Sequence, residues 1–291
     1  MAEGVIVKGI GGFYYVNTDS GIYECRARGI FRKENITPTV GDKVVISILD
    51  ERNKKGSLDK ILERRNSLSR PKVSNVDQAV VVFSIKNPDI NYDILDRFLI
   101  LAETEGINPV VCINKTDIDE EGRHKAVCRL YEDAGYEVYA VSSLTGEGIK
   151  ELKPALEGKI SVFAGPSGVG KSSIINALNS DFSLKIGDLS EKIMRGRHTT
   201  RHTELMEVLK GCYIVDSPGF TSLDIGDIKK EELWQYFREF LPWGNKCRYT
   251  GCSHINEPDC AIKDQIGKTI SKERYERYIN IYNELAEERK K

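Results

Sequence analysis

Short apolar runs broken by turn residues predict a small barrel over the first 65 residues. Turn-forming residues at 11–12, 19–21, 37–42 and 53–56 separate five β-rich runs, which read VIVKGI, FYYVNT, IYECRARG, KVVISIL and SLDKIL. About five short strands with such turns are typical of a closed or nearly closed β-barrel, with an SH3-like barrel as the alternative. The following segment RRNSLSRPK at 64–72 interrupts the apolar pattern and is interpreted as a linker.

From about residue 76, fully apolar runs alternate with helix-patterned segments. The runs are AVVVFSI, PVVCINK, EVYAVSS, ISVFAG and CYIVDSPG, and the helical segments include YDILDRFLILAETEG and HKAVCRLYEDAG. This alternation predicts a parallel sheet covered on both faces. The run TELMEVL at 203–209 alternates apolar and polar positions and is predicted to be an antiparallel edge strand.

After about residue 228 the pattern becomes helical and is interrupted by a cluster of cysteines. In the last segment an apolar and aromatic stripe recurs at helical spacing, at Tyr275, Tyr278, Ile279, Tyr282 and Leu285. Such a stripe is predicted to pack into a core. These three hydrophobic patterns predict three domains, at residues 1–66, 67–227 and 228–291.

Composition narrows the class of protein. With 291 residues, of which 40% are hydrophobic and 30% charged, the chain is typical of a soluble globular protein. No apolar run approaches the roughly 18–20 residues of a membrane helix, and the start MAEGVIVKGIGG lacks the features of a signal peptide. We therefore expect a cytoplasmic protein without a membrane partner. The formal net charge of -1 means that any RNA binding must come from local basic patches.

The clearest motif is a phosphate-binding loop. The segment GPSGVGKSS follows the apolar run ISVFAG and precedes the helical SSIINALN, which is the strand-loop-helix context of such a loop. Lys171 is expected to reach the β- and γ-phosphates, and the Ser172 hydroxyl to bind Mg²⁺. Glycines let backbone N–H groups turn towards phosphate oxygens. The candidate residues are Gly165, Pro166, Ser167, Gly168, Val169, Gly170, Lys171, Ser172 and Ser173.

Three further motifs also end predicted strands. Asp216 and Gly219 belong to DSPG, where an acidic residue can hold Mg²⁺ and an N–H can meet the γ-phosphate. The segment NKTD supplies a carboxylate that accepts two hydrogen bonds from guanine, and SSLTG supplies a backbone N–H for the guanine O6. The guanine-binding candidates are Asn114, Lys115, Thr116, Asp117, Ser142 and Ser143.

The guanine motifs precede the phosphate loop, which is the reverse of the usual order. The loop begins 48 residues after Asp117 (165 − 117). Ligands of open α/β sheets bind at the carboxyl ends of the strands, so the same site can be built with the strands connected in another order. The sequence therefore predicts a circularly permuted GTPase in which DSPG leads directly into the C-terminal region.

The segment GRHTTRHTEL at 196–205 occupies the position of a switch that closes over the γ-phosphate. Thr199 or Thr200 is expected to bind Mg²⁺, and we favour Thr200. The charges of this segment suit either phosphate or RNA. The residue after DSPG is Phe220, and an apolar side chain cannot orient the attacking water. We hypothesise that His198 does so, because imidazole hydrogen-bonds water near neutral pH.

The cysteine cluster has the ligand set of a structural zinc site. Cys247, Cys252, His254 and Cys260 lie within fourteen residues in the pattern C-x4-C-x-H-x5-C. Three thiolates and an imidazole make a closed tetrahedral site, which leaves no open position for catalysis. One Zn²⁺ is expected to stabilise the small C-terminal domain.

Together these motifs resemble the ribosome-small-subunit-dependent GTPases of the RsgA (YjeQ/YloQ) family over essentially the whole chain. The resemblance implies a multidomain α/β protein with an N-terminal OB-fold β-barrel, a circularly permuted P-loop GTPase core and a C-terminal, mainly helical zinc-binding domain. It also implies GTP and GDP as ligands, Mg²⁺ and Zn²⁺ as cofactors, and hydrolysis stimulated by the small ribosomal subunit during late assembly.

The resemblance extends to residues and partners. In the family the position of Phe220 is likewise apolar and that of His198 is implicated in catalysis, whereas Arg201 stands where many relatives have a third Thr. The implied partners are the small ribosomal subunit and its rRNA, with other assembly factors as further candidates. Basic residues of the barrel that suit RNA are Arg26, Arg28, Arg32 and Lys33.

Two alternatives differ in class. One is a GTP-dependent switch whose effector is a protein, with the barrel and zinc domain as interaction modules. The other is a P-loop kinase, which the NKTD and SSLTG pair disfavours because a kinase needs no guanine reader. Nothing in the sequence requires more than a monomer.

Overall fold

The structure, a computed structural model, describes residues 1–69, 71–179, 203–216 and 225–288. The chain forms two compact units. The first contains Met1–Ala79, Ile149–Ala164 and Lys171–Thr221, and the second contains Val80–Gly148, Gly165–Gly170 and Ser222–Lys291. Among the described helices, none is both long and apolar enough to cross a membrane. The domain boundaries expected from sequence stay predictions.

Thirteen strands and six α-helices follow one another along the described chain. The strands are β1 Ala2–Ile10, β2 Phe13–Thr18, β3 Gly21–Ala27, β4 Lys43–Asp50, β5 Lys55–Ile61, β6 Ser67–Leu68, β7 Val73–Ser74, β8 Gln78–Ser84, β9 Asn108–Asn114, β10 Glu137–Ala140, β11 Ile160–Ala164, β12 Glu204–Leu209 and β13 Cys212–Asp216. The helices are α1 Ile30–Lys33, α2 Tyr92–Thr104, α3 His124–Asp133, α4 Ile149–Leu156, α5 Lys171–Asn179 and α6 Lys272–Glu288.

The first five strands close into a barrel. They pair in the order β1, β2, β3, β5 and β4, and β4 returns to β1, so no edge is left open. All pairs are antiparallel except β3 with β5. Alternate side chains fill the interior, which includes fully buried Ile6, Val16, Tyr23, Val44 and Leu58. The predicted five-stranded barrel is confirmed, and its pairing is OB-like.

The segment expected to be a linker is instead packed structure. Strands β6 and β7 pair antiparallel across it. The guanidinium of Arg64 donates two hydrogen bonds of 2.7 Å to the carboxylate of Asp42, whose side chain is fully buried. The side-chain amide of Asn66 donates to the carbonyl oxygen of Val76 and accepts a hydrogen bond from the Val76 N–H. The linker interpretation was wrong because a charged and polar segment can be held by buried hydrogen bonds as well as by apolar contacts.

The rest of the first unit holds strands β11, β12 and β13. Strand β13 pairs parallel with β11 and antiparallel with β12. The antiparallel direction predicted for the run at 203–209 is confirmed. Its other side is also paired, because Lys8 of β1 bridges Glu204 of β12. The strand is therefore not a free edge, contrary to the sequence-based expectation.

The second unit begins with a small sheet. Its strands lie in the order β10, β9, β8, and β10 pairs parallel with β9 from Glu137 opposite Val110. Every residue of β8 is buried, as expected for a strand covered on both faces. Helix α2 begins after Asn91, whose side chain accepts a 3.1 Å hydrogen bond from the N–H of Ile94.

Short 3₁₀ turns and helix α6 form the C-terminal part of the second unit. The turns are Leu233–Tyr236, Arg238–Phe240, Gly244–Lys246 and Lys263–Gln265. Of the predicted stripe on α6, Tyr275, Tyr278 and Leu285 are buried, while Ile279 and Tyr282 pack partly buried against the same core. The rings of Phe237 and Phe240 lie 5.3 and 5.0 Å from that of Tyr278. The stripe is thus a core face, as predicted.

Candidate guanine-nucleotide site and metal centre

The phosphate loop connects β11 to α5 and needs glycine at two positions. Gly165 has a φ of 133°, and a Cβ there would lie 2.1 Å from the carbonyl oxygen of Val82. Gly170 has a φ of 97°, and a Cβ there would lie 2.2 Å from Nδ2 of Asn114. Both φ values lie where side chains are strained. The glycines therefore let the loop backbone lie directly against β8 and against the NKTD motif.

Asn114 joins three of the predicted motifs. Its side chain is fully buried. The amide nitrogen donates to the carbonyl oxygen of Val169 at 2.9 Å and to the hydroxyl of Ser143 at 3.3 Å. The amide oxygen accepts a 3.1 Å hydrogen bond from the N–H of Ser143. One side chain thus holds the phosphate loop and both guanine-binding segments together.

Lys115 makes a second connection between these segments. Its backbone has a φ of 65°, which is uncommon for a residue with a side chain. The ammonium donates to the carbonyl oxygen of Gly168 at 2.8 Å and to that of Asn87. Asn87 belongs to the loop after β8 and was not predicted as part of the site. Its Asn-Pro dipeptide indicates only a turn.

Asp117 is exposed, and Ser142 holds its carboxylate. The hydroxyl of Ser142, which is fully buried, donates a 2.6 Å hydrogen bond to one carboxylate oxygen of Asp117. The N–H of Thr145 donates to the same hydroxyl at 3.1 Å. The hydroxyl of Thr116 is buried without a partner among the described residues. The segment SSLTG was predicted to supply a backbone N–H to the guanine O6, and the hydrogen bond from Ser142 to Asp117 was not predicted.

Lys171 and Ser172 lie in the first turn of α5. Burial lowers the pKa of Lys171 from its usual value. Ser172 and Ser173 are exposed, so the Ser172 hydroxyl is available as the oxygen ligand that Mg²⁺ prefers. The loop leads into the N-terminus of α5, and the dipole of a helix favours anions at that end.

Several predicted residues lie outside the described part of the chain. They are His198, Thr199, Thr200, Gly219 and Phe220, together with the side chains of Asp216 and Arg32. Their assigned roles stay predictions. Of the basic barrel residues, Arg26, Arg28 and Lys33 are exposed. The guanidinium of Arg26 lies 4.7 Å from the ring of Phe13.

The four predicted zinc ligands converge. Their ligand atoms lie within 4.8 Å of one another. The sulfurs of Cys247 and Cys260 are 3.8 Å apart, and they lie 3.4 and 3.6 Å from Nδ1 of His254. Tetrahedral Zn²⁺, with its usual bond lengths, separates two sulfurs by about 3.8 Å and sulfur from nitrogen by about 3.6 Å. Cys252 and His254 are buried, so the set fits one zinc ion.

Helix α6 supports the metal-binding loop. The hydroxyls of Tyr275 and Tyr278 donate to the carbonyl oxygens of His254 and Ser253 at 2.7 and 2.8 Å. Burial opposes the ionisation of Glu257, but hydrogen bonds from the N–H and hydroxyl of Ser253 hold the pKa of Glu257 at about 2. Burial also lowers the pKa of His254, which favours the neutral, metal-binding imidazole.

A buried charge network ties α6 to α2. Asp96 accepts hydrogen bonds from Tyr131 at 2.9 Å and from Arg274 and Arg277 at 2.5 Å. Arg274 also pairs with Glu239. The side chains of Arg274, Asp96 and Glu239 are only 2%, 1% and 2% exposed. This network was not predicted, since arginine on an amphipathic helix is expected to face solvent.

Known proteins are similar to almost the whole chain. The family model described as RsgA GTPase matches residues 61–226, and the RsgA N-terminal domain matches 3–57. The protein named "Small ribosomal subunit biogenesis GTPase RsgA" from Caldanaerobacter subterraneus subsp. tengcongensis is 50% identical over 290 residues, covering 99% of this chain and 97% of its own length. The protein of the same name from Agathobacter rectalis is 46% identical and covers 99% of both chains.

Two solved structures are also similar to this chain over almost its whole length. YjeQ from Thermotoga maritima superposes with a TM-score of 0.82 at 36% identity, covering 98% of both chains. YloQ, described as a circularly permuted GTPase, superposes with a TM-score of 0.83 at 38% identity, covering 99% of this chain and 96% of its own. The predicted circularly permuted fold is confirmed by this likeness.

Proposed function

Because this chain belongs to the RsgA GTPase family, we propose that it hydrolyses GTP as a biogenesis factor of the small ribosomal subunit. The observation that carries the proposal is the hydrogen bonding of Asn114, which joins the guanine-binding and phosphate-binding segments into one site. A kinase acting on a small molecule would have no use for that guanine-reading half. The subunit as partner is taken from the names of the relatives.

In this proposal Asp117 reads guanine. Ser142 occupies one of its carboxylate oxygens, which leaves the other for the N1–H and exocyclic amine of the base. The N–H groups of Ser142 and Ser143 already donate within the protein, to Glu147 and Asn114. Contact with the guanine O6 therefore falls to the N–H of Leu144, which has no acceptor among the described residues and belongs to an exposed residue.

The phosphates would be bound by the loop Gly165–Gly170 and by Lys171, whose positive charge faces the charge that develops on transfer. Mg²⁺, held by Ser172 with Thr200 and Asp216, would neutralise the negative charge of the phosphates. His198 would orient the attacking water, because Phe220 offers no hydrogen-bonding group. These assignments rest on the motif positions in the sequence.

Zn²⁺, held by Cys247, Cys252, His254 and Cys260, would have a structural role, since the four ligands fill a tetrahedral site. The exposed cations Arg26, Arg28 and Lys33 of the barrel would contact rRNA. The GTP-bound form would favour the subunit, and hydrolysis would release the factor. Because ribosomal subunits assemble in the cytoplasm, this protein would act there as a monomer, with other assembly factors as further partners.

The deciding experiment measures GTP hydrolysis by the full chain alone, with purified small subunits and with large subunits, using ATP as a control. Stimulation by small subunits with GTP only is the expected result. Slow GTP turnover that neither subunit changes would contradict the ribosomal partner and favour the protein-effector alternative. Equal turnover of ATP would contradict the assignment of Asp117 and Asn114.

A further inference from the structure

The hairpin of β12 and β13 carries both segments that were predicted to contact the γ-phosphate. Strand β12 begins at Glu204, four residues after Thr200, and β13 ends at Asp216, the first residue of DSPG. Glu204 and Asp216 are opposite each other in the register of the hairpin. Both segments therefore join the hairpin at the same end.

The barrel contacts the hairpin at this end. Lys8 of β1 bridges Glu204, and its ammonium lies 3.0 Å from the Glu204 carboxylate. A bulge in β1 precedes Lys8, because Ile6 pairs with Val16 whereas Lys8 pairs with Tyr15. Bulges commonly turn the strand and redirect a side chain. Here the bulge lies between the part of β1 that pairs with β4, which ends at Val5, and Lys8, which pairs with both β2 and β12.

A second contact lies towards the other end of the hairpin. The amide nitrogen of Asn17, on β2, donates to the Glu207 carboxylate and to the Tyr213 hydroxyl, both at 2.8 Å. The other oxygen of Glu207 accepts a 2.7 Å hydrogen bond from the N–H of Gly211 in the hairpin turn. The barrel thus contacts both strands of the hairpin, and the residue it contacts on β12, Glu207, also binds the turn.

These contacts are better suited to positioning than to stability. Lys8 and Glu204 are 27% and 45% exposed, and ion pairs with such exposure contribute little to the free energy of unfolding. They do set where the hairpin lies against β1 and β2. We infer that Lys8 and Asn17 are positioning residues for GTP hydrolysis, which hold the hairpin so that a ligand on the barrel influences both segments joined to it. The identity of that ligand, small-subunit rRNA, rests on the proposed function.

The test compares Lys8→Glu, Glu204→Lys and the double variant that reverses the ion pair. For each, kcat and KM for GTP are measured without subunits and with saturating small subunits. We expect each single variant to lower kcat about tenfold or more, since displacements of about 1 Å at a site can have effects of this size. KM for GTP should stay within about twofold. The reversed pair should recover most of kcat.

Lys210→Glu is the matched control, because Lys210 is an exposed lysine in the turn of the same hairpin; it should leave kcat and KM unchanged. A Lys8→Glu variant with wild-type kcat at saturating subunits would overturn the inference, even if its subunit affinity falls. A reversed pair as slow as the single variants would overturn it too, since Lys8 would then act by another contact.

The proposed function and this inference fail in different ways. A wild-type protein that small subunits do not stimulate would contradict the proposed function only. The subunit-independent kcat of the single and reversed variants would still decide whether the ion pair positions the hairpin. Asn17→Ala supplies a second variant at a separate contact, and unchanged kcat in Asn17→Ala would overturn the role inferred for Asn17 in either case.

Discussion

Helix α6 and the N-terminal barrel contact their neighbours through different kinds of polar interaction. Helix α6 is tied to α2 by a buried network in which Arg274, Asp96 and Glu239 are almost inaccessible to solvent. The barrel meets its hairpin through the half-exposed pair of Lys8 and Glu204 and the hydrogen bonds of Asn17. Buried charges tolerate no loss of a partner, whereas exposed ones exchange partners with water at small cost. The difference indicates a fixed attachment in one region and an adjustable one in the other.

Removal of a zinc ligand should have the largest effect, which is on the folding of the C-terminal region that contains α6. We expect Cys260→Ala to abolish zinc binding and to unfold residues 228–288, because metal binding to such sites contributes about 10 kcal/mol or more. Zinc content and limited proteolysis of this region are the measurements. Cys128→Ala is the control, since Cys128 lies on α3, apart from the ligand cluster. A Cys260→Ala protein that keeps one equivalent of zinc and its protease resistance would contradict the assignment.

The buried network should give the next largest effect. Arg274→Met leaves the carboxylates of Asp96 and Glu239 buried without that partner, and we expect a loss of about 3–5 kcal/mol in unfolding free energy. Urea unfolding followed by tryptophan fluorescence measures it, because Trp234 and Trp243 pack in this region. Arg129→Met removes an exposed pair with Asp133 and should change stability by less than about 0.5 kcal/mol. Equal effects in the two variants would remove the contrast between the regions.

Loss of the hydrogen bond that orients Asp117 should change the affinity for guanine nucleotides rather than kcat, because Asp117 is proposed to bind the base and not the reacting phosphates. Ser142→Ala removes the donor to Asp117, and a hydrogen bond to a charged group contributes about 1.5–3 kcal/mol. We expect GDP and GTP to bind about tenfold or more weakly, with ATP still rejected. Titration with a fluorescent guanine nucleotide measures this.

A Ser142→Thr variant keeps the hydroxyl and serves as the control for that measurement. It should bind GDP more tightly than Ser142→Ala, because it keeps the donor to Asp117. Unchanged GDP affinity in Ser142→Ala would show that Asp117 needs no orienting partner.

The features that could be predicted from sequence are those whose chemistry lies within one short segment. The phosphate loop, NKTD and the zinc ligands are short patterns whose residue types carry the chemistry themselves. The phosphate loop and NKTD also follow the ends of strands, which places these two motifs together. The barrel was predictable because its strands and turns alternate locally. Only the resemblance to a family, however, distinguished the OB-like barrel from an SH3-like one.

The unpredicted features depend on contacts between distant residues. Arg274 lies 178 positions from Asp96, and nothing in a helical stripe distinguishes a buried arginine from an exposed one. The pairing of β12 with β1 joins segments almost 200 residues apart, so local alternation could show the strand but not its second partner. The segment 64–72 was misread for the same reason, since its polar side chains are held by residues such as Asp42.

The smallest expected effect is on the stability of the adjustable region. Lys8→Met removes the ion pair with Glu204 while keeping an apolar stem of similar length. We expect the free energy of unfolding to fall by less than about 1 kcal/mol, and this difference to shrink further in about 1 M salt, where exposed charges are screened. Thermal unfolding at low and high salt measures both. A loss as large as that of Arg274→Met would mean that the barrel is fastened as firmly as α6, and its contact with the hairpin could then not respond to a ligand on the barrel.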